Sequence, residues 1–366
     1  MNTKKKIGFV GLGLIGGSIA KAIRQYYPNY EIVAFDKNKE TLALATQESV
    51  IDVACTTIDD NFDHCDYIFL CAPVSYNTAY LKQLKPHLDS NCILTDVGSV
   101  KGSIHKEVIA LDMEENFIGG HPMAGSEKSG FVNAKPVLIE NAYYIVTPTA
   151  KIAEEKVDAY VAFVESLKAL PVTLDYEEHD YITGAISHLP HIIASALVKF
   201  VKDHDGKDEL MKHLAAGGFK DITRIASSSP TMWQHICLKN KDNIVKILEE
   251  YIELLKAAKD DVENSCEQDI YNFFDESRNY RNSIPGGSSG PIKRMFAIYC
   301  DIIDEAGGIA AIATILAANN INLKNIGIIH NREFEEGVLR IEFYDETSSK
   351  KAAEVLQKYR YIVYER

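Results

Sequence analysis

The chain has 366 residues, a length that suits two or three domains better than one. Hydrophobic residues at 46% and charged residues at 25% describe an ordinary globular composition, and a formal net charge of −13 excludes a basic nucleic-acid surface. Lys4, Lys5 and Lys6 read as a solvated end with no signal segment behind them, and no run approaches the roughly twenty apolar residues that span a bilayer. The seven cysteines are scattered, form no CxxC and cluster with no histidine at ligand spacing, so free thiols in a reducing cytoplasm and no metal are expected.

The first elements carry the densest signal. An apolar run, Ile7–Val10, breaks into Gly11, Gly13 and Gly16, with Leu14 and Ile15 opening a helical pattern, and a second apolar run ends at Asp36. Gly11 permits the tight turn, Gly13 lets the backbone approach a pyrophosphate, and Gly16 lets helix and strand pack closely. The helix N-terminus directs N–H groups and a partial positive charge at the phosphates. Asp36 follows about twenty residues later, where a carboxylate accepts hydrogen bonds from both adenosine ribose hydroxyls; that favours NAD over its 2′-phosphorylated relative.

Further short apolar runs follow at Tyr67–Leu70, Ile93–Asp96, Phe117–Gly119, Tyr143–Val146 and Val172–Leu174. They predict a doubly wound parallel sheet, an α/β Rossmann-type NAD-binding domain over residues 1–174, with ligands at the carboxyl ends of the strands. Two motifs sit at such ends, TDVGSVKG and IGGHPMAGSEKSG. His121, braced by Pro122, can accept a proton near neutral pH, as oxidation of an alcohol requires. Ser99 either hydrogen-bonds His121 and fixes its tautomer or caps the following helix.

After Asp175 the texture becomes helical, over 177–202, 207–226, 231–238 and 241–282, an all-α domain spanning residues 175–283. SHLPH sets His188 and His191 one turn apart around Pro190; they offer polar contacts to a substrate or are buried structural histidines, and no third metal ligand accompanies them. Arg224 is suited to bidentate binding of a carboxylate, or it pairs with Asp221. Trp233 either walls a pocket or fills core. The wide apolar stripe from Ile244 to Leu255 is covered by a partner subunit or by the chain itself. A Gly/Ser/Pro-rich linker, IPGGSSGP, lies within residues 284–292, and residues 293–366 read as βαββαβ, a ferredoxin-like module.

In this order GLGLIGGS, DVGSVKG, GGHPMAGSEKSG, SHLPH and GGFKDITRIASSSPTMW resemble the prephenate dehydrogenase family across essentially the whole chain. With a first strand already at Ile7, the mutase domain fused to some relatives is not expected upstream. The resemblance implies an NAD domain, a helical dimerisation domain and a C-terminal ACT domain. It implies NAD-dependent oxidative decarboxylation of prephenate to 4-hydroxyphenylpyruvate by a homodimer. His121 would then be the hydrogen-bond acceptor for the C4 hydroxyl. Ser99 would position His121 and contact the nicotinamide, and Arg224 would hold a substrate carboxylate. Glu127, His191, Gly217, Asp221 and Trp233 would line or gate the pocket. In the tail, Glu305, Ala306, Gly307 and Gly308 at a helix start, with Asn325 and Ile326 on a strand, would bind L-tyrosine; the alternative is a purely structural dimerisation module. Competing readings are arogenate dehydrogenase, a β-hydroxyacid dehydrogenase with a lysine base, and a non-catalytic NAD and amino-acid sensor.

Overall fold

Strands covered on both faces need buried side chains at successive positions, and β1 (Lys6–Val10), β2 (Glu31–Phe35), β4 (Tyr67–Leu70) and β5 (Ile93–Asp96) each bury four in a row. The computed structural model describes residues 4–72, 76–125, 128–284, 296–301, 307–329 and 338–365. They fall in two compact units, Met1–Ile284 and Pro285–Arg366.

In the first unit β3 (Val53–Cys55), β6 (Phe117–Pro122), β7 (Tyr143–Pro148) and β8 (Leu170–Thr173) complete an eight-stranded sheet of order β3-β2-β1-β4-β5-β6-β7-β8. Helices α1 (Leu14–Tyr26), α2 (Lys39–Gln47), α3 (Asn77–Leu84), α4 (Gly102–Ala110) and α5 (Glu154–Ser166) accompany it. Two apolar cores form, one including Phe9, Ile23, Phe69 and Phe163, the other including Val10, Phe62, Leu81 and Val108. Strand order reverses between β1 and β4, so the loops leaving these two strands form the crevice where an open sheet binds its ligand.

Three sequence expectations are corrected here. β3 was absent from them, because three residues are too few to show a pattern. The last strand covers Leu170–Thr173 rather than starting at Val172. The sheet is also not wholly parallel: β6 and β7 pair antiparallel, with His121 opposite Ile145, and β8 runs parallel to β7. Residues 123–142 include short 3-10 turns, Phe131–Asn133 and Pro136–Leu138, and no crossover helix among the described residues, so the chain returns antiparallel.

The helical region continues as α6 (Tyr176–Thr183), a π turn at Gly184–His188, α7 (Leu189–His204), α8 (Leu210–Leu214), α9 (Gly217–Thr223), α10 (Pro230–Lys239), α11 (Lys241–Glu263) and α12 (Glu267–Ser283). The helix expected over 207–226 is interrupted between α8 and α9 and closes in a 3-10 turn, Arg224–Ser227. That expected over 241–282 breaks at Asn264–Cys266, where Ser265 takes a left-handed φ of 52°. Within this chain only Ile244 and Ile247 of the α11 stripe are buried, and Leu254 and Leu255 remain about half exposed.

One described helical stretch, Tyr176–His204, is long and apolar enough to cross a membrane by length and composition, with only 17% of its apolar window buried. His179, Asp180 and His188 within it are nevertheless buried and hydrogen-bonded to the rest of the unit, a placement unlike that of a lipid-facing helix.

The second unit has the βαββαβ order: β9 (Phe296–Asp301), α13 (Gly308–Ala318), β10 (Asn325–Ile329), β11 (Val338–Phe343), α14 (Glu346–Lys358) and β12 (Val363–Glu365). The antiparallel sheet order is β10-β11-β9-β12, and Ile298, Ile312, Leu316, Leu339, Ile341 and Leu356 form its core. Residues 285–295, with most of the predicted linker, lie outside the described residues.

Candidate active site

The glycine loop shows why each glycine is there. Gly11 has a φ of +100°, its N–H donates to the Phe35 carbonyl at 2.8 Å, and a Cβ on it would sit 2.9 Å from the Ala72 nitrogen. A Cβ on Gly16 would fall 2.5 Å from the Gly11 carbonyl oxygen and 2.8 Å from Cys71 Cβ, so α1 packs against the end of β4 only without one. Gly13 differs: no atom lies within 4 Å of the Cβ position, leaving open space over the loop. The first turn of α1, including Leu14, Ile15 and Gly16, has no side-chain cap, so its N–H groups remain for an anion.

Asp36 does more than sequence reasoning assigned to it. Its Oδ2 accepts the Leu12 N–H and its Oδ1 the Asn38 N–H, each at 2.7 Å, so it ties the end of β2 to the glycine loop. Each carboxylate oxygen keeps a second lone pair for a ribose hydroxyl. Beside it Lys37 Nζ lies 3.6 Å from the centre of the Tyr76 ring. An open cradle, uncapped N–H groups and a terminal carboxylate fit a dinucleotide without a 2′-phosphate.

At the proton-handling end, His121 lies next to last in β6 with Nδ1 2.8 Å from His179 Nε2. His179 Nδ1 lies 2.9 Å from Asp180 Oδ1, and Asp180 also accepts the N–H groups of Lys101 and Gly102, each at 2.7 Å. The ionised carboxylate only accepts, so His179 Nδ1 carries the proton, and in the neutral His179 ring Nε2 is then an acceptor. His121 Nδ1 must then donate, which leaves Nε2 of a neutral His121 as a lone-pair acceptor. Burial, followed by the neighbouring His179, Lys101 and His188, holds the His121 pKa well below its ordinary value. Burial alone would raise the Asp180 pKa, but the hydrogen bonds from His179, Lys101 and Gly102 bring it below the usual carboxylate range.

Neither the hydrogen bond to His121 nor the helix cap expected of Ser99 is present. Among the described residues it makes no hydrogen bond: His121 is held by His179, and the start of α4 is capped by Asp180. Ser99 stands in the loop between β5 and α4, on the crevice side of the sheet.

The remaining residues gather around Trp233. The His191 ring stacks on it at 3.7 Å with Nδ1 donating to the Ser187 carbonyl at 2.9 Å, and His188 meets its edge at 5.9 Å. His188 is 1% exposed and its Nδ1 accepts from Asn240 Nδ2, which also donates to the Asp180 carbonyl. His188 thus belongs to the polar core, correcting its reading as a substrate contact. Burial lowers the His191 pKa, the Ser187 carbonyl opposes this, and Arg224 is near enough to lower it further. Trp233 walls this cluster from one side. Gly217 opens α9, Asp221 lies on its exposed face, and Arg224, also exposed, follows in the 3-10 turn. Glu127 lies outside the described residues.

Sequence reasoning missed His179, Asp180 and Asn240. The only signal for the first two was a polar pair, HD, inside a helical pattern that begins at the Asp175 N-cap.

Burial pushes the pKa values of His105 and His188 down to about 4. Unfolded histidines titrate near 6.5, so between about pH 6.5 and about pH 4 the unfolded chain binds more protons. Stability contributed by these neutral imidazoles is present above about pH 6.5 and is lost as pH falls, by a few kcal/mol each. The urea midpoint at about pH 5 is expected well below that at about pH 7.5; equal midpoints would show that these rings titrate normally.

Residues 19–172 match the family model described as prephenate dehydrogenase, nucleotide-binding domain, and residues 175–276 the one described as prephenate dehydrogenase, dimerization domain. Prephenate dehydrogenase of Bacillus subtilis (strain 168) is 37% identical over 357 residues, covering 97% of this chain and 96% of that relative. A crystal structure of prephenate dehydrogenase from A. aeolicus in complex with hydroxyphenyl propionate and NAD+ matches with a TM-score of 0.72 at 33% identity, over 77% of this chain and 99% of that one. Synechocystis arogenate dehydrogenase matches with a TM-score of 0.69 at 29% identity, over 76% of this chain and all of that one. With both of its first-unit regions matched and a full-length relative at this identity, the chain belongs to the prephenate dehydrogenase family of NAD-dependent oxidoreductases.

Proposed function

We propose that this chain carries out the NAD-dependent oxidative decarboxylation of prephenate to 4-hydroxyphenylpyruvate, with CO2 and NADH, in the cytoplasmic route to L-tyrosine. The observation that carries the reading is the Asp180–His179–His121 chain, which presents a neutral Nε2 acceptor at the carboxyl end of β6. Bound NAD supplies the hydride acceptor. His121 takes the C4 hydroxyl proton as hydride leaves C4. The bond to the ring carboxylate breaks, CO2 departs, and that electron pair makes the ring aromatic. The proton held on His121 returns to the ring oxygen, giving the phenol. His179 and Asp180 keep the His121 tautomer, and Ser99 orients the reacting groups from its loop. Arg224 holds a substrate carboxylate, with His191, Trp233, Gly217, Asp221 and Glu127 around it. Once hydride transfer is aligned, aromatisation drives the rest, so the protein's task is orientation and polarisation of one hydroxyl.

The exposed apolar residues of α7 and α11, among them Phe200, Leu254 and Leu255, support a homodimer in which each copy helps to enclose its partner's site. The βαββαβ unit is read as an ACT domain binding L-tyrosine. Gly307, with a φ of +98°, precedes the uncapped start of α13, where backbone N–H groups suit a carboxylate. The Ile326 N–H is already accepted by Asn325 Oδ1 at 2.9 Å, so Asn325 and Ile326 contribute less than the sequence suggested. Glu305 and Ala306 lie outside the described residues.

Arogenate differs from prephenate in an amino group on the side chain, and the likeness to an arogenate dehydrogenase keeps it as the second substrate to test. A lysine-based hydroxyacid mechanism is disfavoured because Lys101, the lysine whose charge bears on His121, is fully buried against Asp96. The deciding experiment is NADH formation with prephenate and with arogenate, each with and without L-tyrosine. Prephenate turnover suppressed by tyrosine is expected. Turnover of arogenate alone would change the substrate, and dinucleotide binding without either turnover would favour the sensor.

A further inference from the structure

The Gly119–Gly120 pair before His121 and the lysine of DVGSVKG have no part in the chemistry above, yet the structure joins them. Lys101 is completely buried. Its ammonium donates to Asp96 Oδ2 at 2.5 Å and to the Gly120 carbonyl at 2.6 Å. Asp96 accepts the Gly120 N–H at Oδ1 (3.2 Å) and the Gly98 N–H at Oδ2 (2.9 Å). One ion pair therefore fixes both the loop that carries Ser99 and the strand residue before His121.

The two glycines make room for it. A Cβ on Gly119 would lie 2.3 Å from Thr147 Oγ1 and 3.2 Å from Lys101 Cδ, and one on Gly120 would lie 2.5 Å from the Asp96 carbonyl oxygen. Taking both charges out of water is unfavourable, and apolar residues of similar volume commonly hold a fold as well. Burial lowers the Lys101 pKa, with Asp96 and Asp180 opposing. A charge kept in such a place calls for a purpose beyond packing.

We propose that Lys101, held by Asp96, is a positioning residue for the reaction: it clamps the Gly120 carbonyl beneath His121 and places a fixed positive charge beside that imidazole. This rests on His121 being the base of the proposed function. His179 and Asp180 face His121 from α6, and His188 faces it from the π turn. Lys101 and Asp96 face it from the β5 side, and the Tyr144 hydroxyl lies next to Gly120 from β7. His179, Lys101 and His188 all disfavour a charged His121. Removing the lysine charge therefore raises the pH at which His121 takes up a proton.

The test uses Lys101→Met, which keeps length without charge, and Lys101→Met/Asp96→Asn, which also removes the carboxylate otherwise left buried alone. For each, three quantities are measured: NADH affinity, kcat with prephenate against pH, and the pH dependence of His121 modification by diethyl pyrocarbonate, read by peptide mass spectrometry. NADH affinity is expected to stay within about threefold of the parent and kcat to fall about tenfold or more. Both pH curves are expected to move upward by about one unit in the single variant and less in the double. A double variant that binds NADH with the parental kcat and curves overturns the proposal. Failure of both variants to bind NADH also overturns it, assigning the pair to the fold alone. The modification curve needs no turnover, so an inactive parent would remove the proposed function and still leave the role of Lys101 readable.

Discussion

His121→Asn is expected to lower kcat by roughly 10²-fold or more while NAD affinity stays within about threefold. Asparagine keeps a polar group on β6 but has no basic nitrogen, so the hydroxyl proton loses its acceptor at the moment hydride departs. The residues proposed to hold the cofactor lie elsewhere, at the glycine loop and Asp36, and among the described residues no hydrogen bond joins them to His121. Because the His121 pKa lies well below the ordinary value, the parent enzyme's kcat is expected to be level through neutral pH and to decline only on the acid side, as the imidazole is protonated. Steady-state rates with prephenate across pH, beside NADH binding by fluorescence, separate the two effects. Unchanged turnover in the variant would remove His121 from the chemistry.

How far this was legible in the sequence depends on the range of the interaction. The glycine loop, Asp36 and the βαβ unit around them were readable because turn, helix start and strand end lie within a few tens of residues and obey local rules. The second unit was readable for the same reason: its strands alternate and its helices carry clear apolar faces. The direction of β7 was not, because parallel and antiparallel strands have the same apolar texture and only the connection through residues 123–142 decides between them. Asp180 shows the limit most clearly. It reaches Lys101 and Gly102 from 79 and 78 residues away in sequence, and nothing local marks an acid in a helix as the cap of another helix. Lys101 carries no sequence signal beyond its place in DVGSVKG, since a lysine in a loop reads as solvated until the fold buries it. His188 failed in the opposite sense: a one-turn spacing from His191 suggested a shared task, and the π turn with Asn240 divides them into a buried ring and a partly exposed one.

Asp180→Ala is expected to cost both stability and rate, by separable routes. The substitution leaves the Lys101 and Gly102 N–H groups and the His179 Nδ1 without their acceptor. Leaving a buried donor unsatisfied costs about 1–3 kcal/mol, and water entering the space left by the carboxylate offsets part of this, so a net loss of roughly 2–4 kcal/mol is expected. The effect on rate follows from the tautomers. Without the carboxylate, His179 is free to carry its proton on Nε2, and His121 Nδ1 must then accept rather than donate. The His121 proton moves to Nε2, the atom that has to receive the substrate's proton, and the base is disabled without being moved. A fall in kcat of roughly 10²-fold is therefore expected even well below the unfolding temperature, where the variant is folded and binds NADH. Urea unfolding reads the first route, and kcat measured at low temperature with saturating NAD reads the second. A destabilised variant that keeps its parental kcat would mean that Asp180 serves only as the cap of α4, and that the His121 tautomer is set by some other group.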